Sequence, residues 1–254
     1  MAGRTLSLIS TTPVKNLALE HPLEVEVSPR GARHDRRFVL IGPDGARLRS
    51  SQTAWPGPIA ARYDAENERL ATRFPDGEEV EGSAGAGGEE VGFDYHGRWV
   101  QGQVVEGPWA EPLSRIAGHP VRLFRPHDPW GCMDEPVTVV SEASLDRLGR
   151  EAGCAVDGRR FRMLFTLAGC EPHEEDGWRG RALRVGDVVV RIGLPVPRCA
   201  VTTRNPDTGR RDLDTLHALR RYRPEVDGVE LPFGVYATVE RPGTARVGDP
   251  VELV

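Results

Sequence analysis

The chain has 254 residues, a formal net charge of −5 and 39% hydrophobic residues. This length suits one large domain or two closely packed smaller ones. The negative charge disfavours a general nucleic-acid binder, and no apolar run approaches the ~20 residues that a membrane helix requires. The N-terminus also lacks an apolar run long enough for a signal peptide, so we predict a cytoplasmic protein with no nucleic-acid or membrane partner.

The first part of the chain reads as short strands and turns, in keeping with its many glycines (29) and prolines (21). The patterns predict strands at "LSLIST" and at 23–29, and a hairpin over 36–50 around Pro43-Asp44-Gly45. A second "PDG" at 75–77 predicts another turn. The acidic, glycine-rich stretch 78–92 is predicted to be a mobile surface loop.

After residue 107 the pattern changes. We predict a short amphipathic helix in "GPWAEPLSRIAGHP", a strand in "VRLFRP", and a strand that continues into a helix capped by Ser141, with Leu145 and Leu148 facing the core. The tetrapeptide Arg-Val-Gly-Asp occurs at 184–187 and 246–249, which predicts two similar hairpins with the short helix "DTLHALRRYR" between them. The sum is a mainly β, barrel-rich α+β fold of roughly a dozen strands, in two parts, 1–110 and 111–254.

The four cysteines, at positions 132, 154, 170 and 199, form no C-x-x-C pair and fit a reducing compartment. A zinc site built from Cys170 and His173 is disfavoured because its other ligands would have to come from far away. Cys199 leaves two alternatives open. It is either a small core residue or, held near the start of a hairpin, a thiolate presented to a cofactor. Arg198 need not lie near its sulfur, since neighbours on a strand point to opposite faces.

Arginines recur beside small polar residues at 31–38, 158–162, 197–203 and 209–212, whereas Lys15 is the single lysine. One interpretation is a set of solvated strand ends with local ion pairs, worth ~0–1 kcal/mol each. The other gathers several of these guanidinium groups around one anionic ligand such as a phosphate. The sequence alone leaves both interpretations open.

Two segments near the C-terminal end are distinctive, "RCAVTTRNPDTGRRDLDTL" and "LPFGVYATVERPGTARVGDPVEL". Four others precede them, "PVKN", "GARHDRRFVLIGPDG", "VVSEASLDRL" and "RRFR…EDGWRGRALRVGD". In this order the motifs resemble those of MOSC-domain proteins, in particular the amidoxime-reducing group and its bacterial counterparts. The resemblance implies an N-terminal MOSC β-barrel domain over 1–110 packed on a MOSC domain over 111–254. It also implies a molybdenum cofactor, while pyridoxal phosphate binding is a further possibility within the family.

The resemblance also assigns residues. Cys199 corresponds to the protein ligand of molybdenum and is the expected catalytic residue. The other cofactor-binding positions that it implies are Lys15, Asn16, Arg36, Asp134, Ser141, Arg162 and Arg198. The family has Pro-Asn after the position of Arg162, where this chain has Met163-Leu164, which either removes a polar contact or puts an apolar wall there.

The implied activity is the reduction of small N-hydroxylated compounds by removal of oxygen, with electrons from a separate flavoprotein reductase and a haem or iron–sulfur carrier, since no dinucleotide fingerprint is present. Two alternatives remain. In one the chain carries sulfur on Cys199 for metal–sulfur or cofactor assembly. In the other it is a non-catalytic MOSC binding module, an interpretation that Met163-Leu164 favours.

Overall fold

A computed structural model describes residues 3–46, 48, 57–129 and 133–254. Its helices are α1 (Ala110–Ala117), α2 (Glu142–Ala152) and α3 (Thr215–Tyr222), and three 3₁₀ turns cover Gly158–Phe161, Glu174–Trp178 and Ala200–Thr203. The strands of the first half are β1 (Thr5–Ile9), β2 (Glu24–Ser28), β3 (Gly31–Ala32), β4 (Val39–Ile41), β5 (Ala60–Asp64), β6 (Arg69–Arg73), β7 (Glu79–Ser83), β8 (Glu90–Tyr95) and β9 (Arg98–Val105). Those of the second half are β10 (Arg122–Pro126), β11 (Val137–Ser141), β12 (Phe165–Ala168), β13 (Ala182–Val185), β14 (Val188–Pro197), β15 (Glu225–Val226), β16 (Val229–Glu230), β17 (Pro232–Arg241), β18 (Gly243–Arg246) and β19 (Val251–Leu253).

The largest sheet is a nearly closed barrel of seven strands in the order β1-β12-β11-β17-β14-β13-β19. Its two edges approach each other, because Leu6 N donates to Asp249 O at 2.9 Å and Val251 N donates to Arg4 O at 2.9 Å. β14 largely alternates buried with more exposed residues, whereas β11, β12 and the first half of β17 are buried almost throughout, and side chains such as Phe165 and Val190 fill the interior. The parallel pair β11 and β12 is joined through α2, which packs outside the barrel.

The remaining sheets are smaller. One has the order β4-β10-β9-β8, a second β5-β6-β7, and a third β18-β2-β3. A separate core lies between the first two of these sheets and α1, with Trp109, Phe38 and Leu70 fully buried in it. The mainly β, α+β fold with a barrel is therefore confirmed. The nineteen strands among the described residues exceed the predicted dozen because several contain only two or three residues.

Two predictions about local structure were wrong. Residues 78–92 are not one mobile loop, since they contain β7 and the start of β8. The glutamates of β7 alternate along an edge strand, and Glu81 forms an ion pair with Arg69 of β6. The backbone pairing of β7 with β6 holds this polar segment in the sheet. The second Arg-Val-Gly-Asp segment is not a hairpin either. Its turn carries the chain from one sheet to another, because β18 pairs with β2 in the three-stranded sheet and β19 pairs with β13 in the barrel.

The predicted boundary near residue 110 stays a prediction. Strand pairing crosses it in both directions, since β1 joins the barrel by pairing with β12 and β10 pairs with β4 and β9. The second arm of the hairpin predicted over 36–50 lies mostly outside the described residues. In the described part, Gly42 N donates to Ala46 O at 2.8 Å across the predicted turn.

Candidate functional site

One pocket gathers most of the predicted site residues. Those that line it are Lys15, Arg36, Asp134, Arg162 and Arg198. They come from the loop after β1, the loop before β4, the segment before β11, the end of the first 3₁₀ turn and the end of β14. One arginine from each of the stretches 31–38, 158–162 and 197–203 therefore reaches the same pocket.

Three predicted site residues have left-handed backbone conformations that are uncommon outside glycine. Their φ angles are 77° at Asn16, 52° at Arg36 and 55° at Arg162. Such conformations cost of order 1–3 kcal/mol each and cluster at functional sites. Arg162 ends the 3₁₀ turn Gly158–Phe161, and its conformation turns the chain so that its guanidinium reaches Leu17 O at 2.8 Å. Two of these residues, Arg36 and Arg162, line the pocket, and the third follows the pocket residue Lys15.

Internal contacts hold the cationic side chains of the pocket. Lys15 Nζ donates to the hydroxyl of Tyr95 at 2.7 Å and lies 4.6 Å from the centre of its ring. Arg36 pairs with the buried carboxylate of Asp35 and donates to Arg162 O at 2.8 Å. Burial and the neighbouring Arg36 lower the pKa of Arg162. Like charges placed this close favour an anion in the pocket.

Arg198 and Cys199 differ in exposure. The guanidinium of Arg198 lines the pocket and donates to Phe233 O at 2.9 Å and to Phe161 O at 3.1 Å. Cys199 is exposed, and it is not among the residues that line the pocket. Its position was predicted in a hairpin, but it caps the 3₁₀ turn Ala200–Thr203, a turn fixed by Thr202 N donating to Cys199 O at 3.2 Å. The exposure of Cys199 excludes the core interpretation.

Met163 and Leu164 form an apolar wall of the pocket. Both side chains are buried, and Met163 Sδ accepts a bond of 2.7 Å from Arg198 Nη2. The backbone N–H of Leu164, just before β12, donates to the side-chain hydroxyl Thr138 Oγ1 on β11 at 2.8 Å. Of the two possibilities for these positions, the structure therefore has the apolar wall.

A close backbone approach at Gly31 supports the wall that carries Asp134. Gly31 has a φ of +108°, and a Cβ there would lie 2.4 Å from Pro136 O. We expect Gly31→Ala to destabilise the protein by about 2–4 kcal/mol, because it combines backbone strain with a clash against a backbone atom. Urea unfolding measures this effect, with Gly77→Ala as control because its Cβ meets nothing within 4 Å. Equal losses in the two variants would contradict the argument from the close approach.

Two predicted residues lie elsewhere. Asn16 occupies the turn after Lys15 and is half-buried, outside the pocket lining. Ser141 is fully buried and caps α2 by accepting from Ser144 N at 3.1 Å, as the sequence predicted for the helix. Their predicted contacts with a cofactor stay predictions.

Ser141 belongs to a buried polar cluster beneath α2. Ser144 Oγ donates to Glu175 Oε1 at 2.8 Å and accepts from His173 N at 2.8 Å. Tyr222 OH lies 3.2 Å from His173 Nε2. Burial raises the pKa of the Glu175 carboxyl. The cluster is enclosed, so we assign it to stability rather than to chemistry.

His173 makes stability depend on pH. Burial, followed by Arg223 and Arg147, lowers its pKa from 6.5 to about 3. Between pH 6.5 and about pH 3 the imidazole of His173 is protonated in the unfolded chain but neutral in the folded chain. The unfolding free energy therefore falls as the pH decreases through this range and is unaffected by His173 above it. We expect His173→Gln to flatten the pH dependence of the unfolding free energy in this window by up to ~1.4 kcal/mol per pH unit. Parallel curves for the two proteins in urea titrations would contradict this.

The described cysteines and histidines form no metal-ligand cluster. No group of three or more His, Cys, Asp or Glu side chains in the described ranges could hold a metal ion. Cys170 is half-buried, and burial with the nearby Glu174 and Glu175 raises the pKa of its thiol to about 12. Cys132 lies outside the described residues.

Sequence reasoning missed several residues of the pocket. Tyr236, Phe161 and Asp35 line it, and Tyr95 fixes Lys15. The hydroxyl of Tyr236 donates to Asp134 Oδ2 at 3.4 Å, and burial raises the pKa of this tyrosine to about 12. Asp35 directly precedes Arg36 in the motif "HDRRF", and this adjacency of a carboxylate and a guanidinium group is the sequence signal that points to it. Tyr95 and Tyr236 carry no local signal.

Residues 114–252, more than half of the chain, match the MOSC domain family. The chain belongs to this family. Of individual MOSC relatives, mitochondrial amidoxime-reducing component 1 from Homo sapiens is 37% identical over 140 residues, which cover 52% of this chain and 41% of that protein. Mitochondrial amidoxime reducing component 2 from Rattus norvegicus is 40% identical over 123 residues, 46% of this chain and 36% of that protein. The chain thus matches less than half of the length of these two relatives.

A longer match exists at lower identity. Mitochondrial amidoxime-reducing component 1 from Danio rerio is 27% identical over 252 residues, 87% of this chain and 74% of that protein. Among solved structures, the YUAD protein from Bacillus subtilis aligns over 99% of this chain and 96% of its own, at 10% identity and a TM-score of 0.47. YiiM from Escherichia coli aligns over 48% of this chain and 55% of its own, at 18% identity and a TM-score of 0.34.

The pocket of this MOSC protein has a donor set that fits a phosphorylated cofactor. Four cations, Lys15, Arg36, Arg162 and Arg198, face it with three carboxylates. One carboxylate, that of Glu135, has its pKa raised by burial and by Asp134. The cations outnumber the carboxylates by one, and guanidinium groups suit phosphate oxygens. No helix of the described chain is long and apolar enough to cross a membrane.

Proposed function

We propose that this MOSC protein binds a molybdenum cofactor and reduces small N-hydroxylated compounds. The observation that carries the proposal is the gathering of Lys15, Arg36, Arg162 and Arg198 around one pocket, next to an exposed cysteine at the end of β14. The similarity to amidoxime-reducing components supports the choice of substrate class.

In this proposal Lys15, Arg36 and Arg162 would hold the anionic end of the cofactor, and Met163 and Leu164 would supply an apolar wall beside it. Arg198 fixes the backbone that presents Cys199, whose thiolate would be the metal ligand. A soft thiolate suits such a metal. When bound, the cofactor supplies the redox centre for oxygen removal.

The overall reaction breaks the N–O bond of the substrate. Two electrons and two protons are consumed, the nitrogen compound is reduced, and the oxygen leaves as water. The electrons come from a separate flavoprotein reductase through a haem or iron–sulfur carrier, which docks where Cys199 is exposed. Cytoplasmic location belongs to the same proposal.

A sulfur carrier is the second candidate, and the exposure of Cys199 favours it. A thiol that accepts and donates a sulfur atom must be reachable by both partners. This function needs the cysteine but no bound molybdenum. The two candidates therefore differ in their metal content.

The test is the molybdenum and pterin content of the chain, produced in a host that makes the cofactor. Benzamidoxime reduction is then measured with reduced methyl viologen, which replaces the natural electron donors. Near-stoichiometric molybdenum and pterin with turnover are the expected result. Well-folded protein without either would overturn the reductase proposal, and a persulfide on Cys199 in that sample would establish the carrier.

A further inference from the structure

A second group of arginines lines a groove next to the candidate cofactor pocket. This arginine groove consists of two connected hollows that share Pro58 and Arg204. Its lining holds five arginines, several apolar residues and the carboxylates of Asp76 and Asp207. The arginines are Arg159, Arg160, Arg162, Arg204 and Arg210.

The groove connects to the proposed reaction centre. Arg162 lines both the groove and the cofactor pocket. Val201 and Arg204 belong to the segment that follows Cys199, and Thr202 N donates to Cys199 O within its 3₁₀ turn. A molecule lying in the groove would therefore have one end close to the loop of the exposed cysteine.

Two of the arginines already have carboxylate partners. Arg159 forms a fork with Asp207, with both N–O distances at 2.8 Å, and Arg160 forms one with Asp212 at 2.8 and 3.0 Å. These ion pairs hold the guanidinium groups of Arg159 and Arg160 in place and neutralise much of their charge. They are structural parts of the groove, not its ligand-binding groups.

Two further arginines, Arg162 and Arg210, leave a positive excess. Arg162 donates to a carbonyl group, and Arg210 is exposed with no ion pair among the described residues. Arg204 faces Arg211 across an isolated antiparallel bridge, and burial together with Arg211 lowers the pKa of Arg204. Guanidinium groups held near one another are stabilised by an anion between them.

We propose that the arginine groove binds the anionic group of the substrate, so that the preferred substrates are N-hydroxylated compounds that carry a carboxylate or a phosphate. The accessible apolar residues Pro58, Pro75 and Ile116 accommodate the body of the molecule. Arg204 and Arg210 receive its charged end. This inference rests on the proposed reductase function.

The test compares two substrates with the same reacting group. Benzamidoxime is neutral and 4-carboxybenzamidoxime carries a carboxylate, and reduced methyl viologen supplies electrons for both. In the double variant Arg204→Gln/Arg210→Gln we expect kcat/KM for the carboxylated compound to fall ~10-fold, because a charge-assisted contact with the carboxylate is lost. For benzamidoxime, which lacks the carboxylate, we expect kcat/KM to change less than ~2-fold. Arg73→Gln, an exposed arginine on β6, is the matched control.

A binding measurement complements the kinetics. Ligand-observed NMR with the two amidoximes measures affinity without turnover, and the same weakening is expected for the carboxylated compound alone. Arg210→Gln is tested singly as well, because Arg204 also donates to Gly209 O at 3.0 Å and holds its own loop. Preserved unfolding curves show that each variant is folded.

Three results would overturn the inference. Equal kcat/KM for the two substrates in the wild type would exclude an anion subsite, while leaving the reductase function intact. Loss of pterin from the double variant would assign the groove to the cofactor. Reduction of neither substrate by metal-loaded protein would remove the proposed function itself, and the inference with it.

Discussion

Cys199→Ala is expected to lose its molybdenum and to reduce benzamidoxime more than ~100-fold more slowly than the wild type. The replacement removes the proposed protein ligand, and even residues that only orient metal ligands are worth 10–100-fold. Cys199 is exposed, so its stability should stay within ~0.5 kcal/mol of the wild type. Pterin should remain in part, because the cationic pocket that would hold it is unchanged.

Cys154→Ala is the control for this prediction. Cys154 is also exposed, but it follows the C-terminal end of α2, and neither of its chain neighbours lines the pocket, whereas Cys199 follows the pocket residue Arg198. Its metal content and rate should match those of the wild type. Molybdenum retained in full by Cys199→Ala would show that another group is the ligand.

Arg198→Met is expected to destabilise the fold by about 2–4 kcal/mol and to lower cofactor content. The guanidinium of Arg198 bridges Phe161 O and Phe233 O, which join the first 3₁₀ turn to β17. Methionine fills the space but donates nothing, and each carbonyl left unsatisfied costs about 1–3 kcal/mol. Because both carbonyl groups belong to the pocket surroundings, we expect the loss of structure to appear at the site first.

Arg198→Lys tests the fork geometry. An ammonium can donate to one carbonyl well but does not match the planar fork, so its stability should lie between those of the wild type and Arg198→Met. The control is Arg184→Met, which removes an exposed ion pair with Glu252 and should cost less than ~1 kcal/mol. Urea unfolding and pterin content are measured on all three. Equal stability for Arg198→Met and Arg184→Met would contradict the bridging role.

Parts of the fold could be predicted because their signals are local. The cap at Ser141, the amphipathic stretch of α1 and the turn at 75–77 depend on neighbours within a few residues. The loop predicted over 78–92 failed for the opposite reason. Its glutamates are held in β7 by pairing with β6, which a composition of acidic residues and glycines does not reveal.

The candidate site likewise has features that the local sequence predicts and features that depend on contacts between distant segments. The sequence by itself determined the fold class, the motif around Cys199 and the identity of the basic residues, because these are properties of short segments. Only the tertiary structure decided that Arg36 donates to the carbonyl of Arg162, 126 residues away, and that Cys199 is exposed while Arg198 is held inside. Contacts between distant segments depend on how the sheets close and pack, and no local pattern records that geometry.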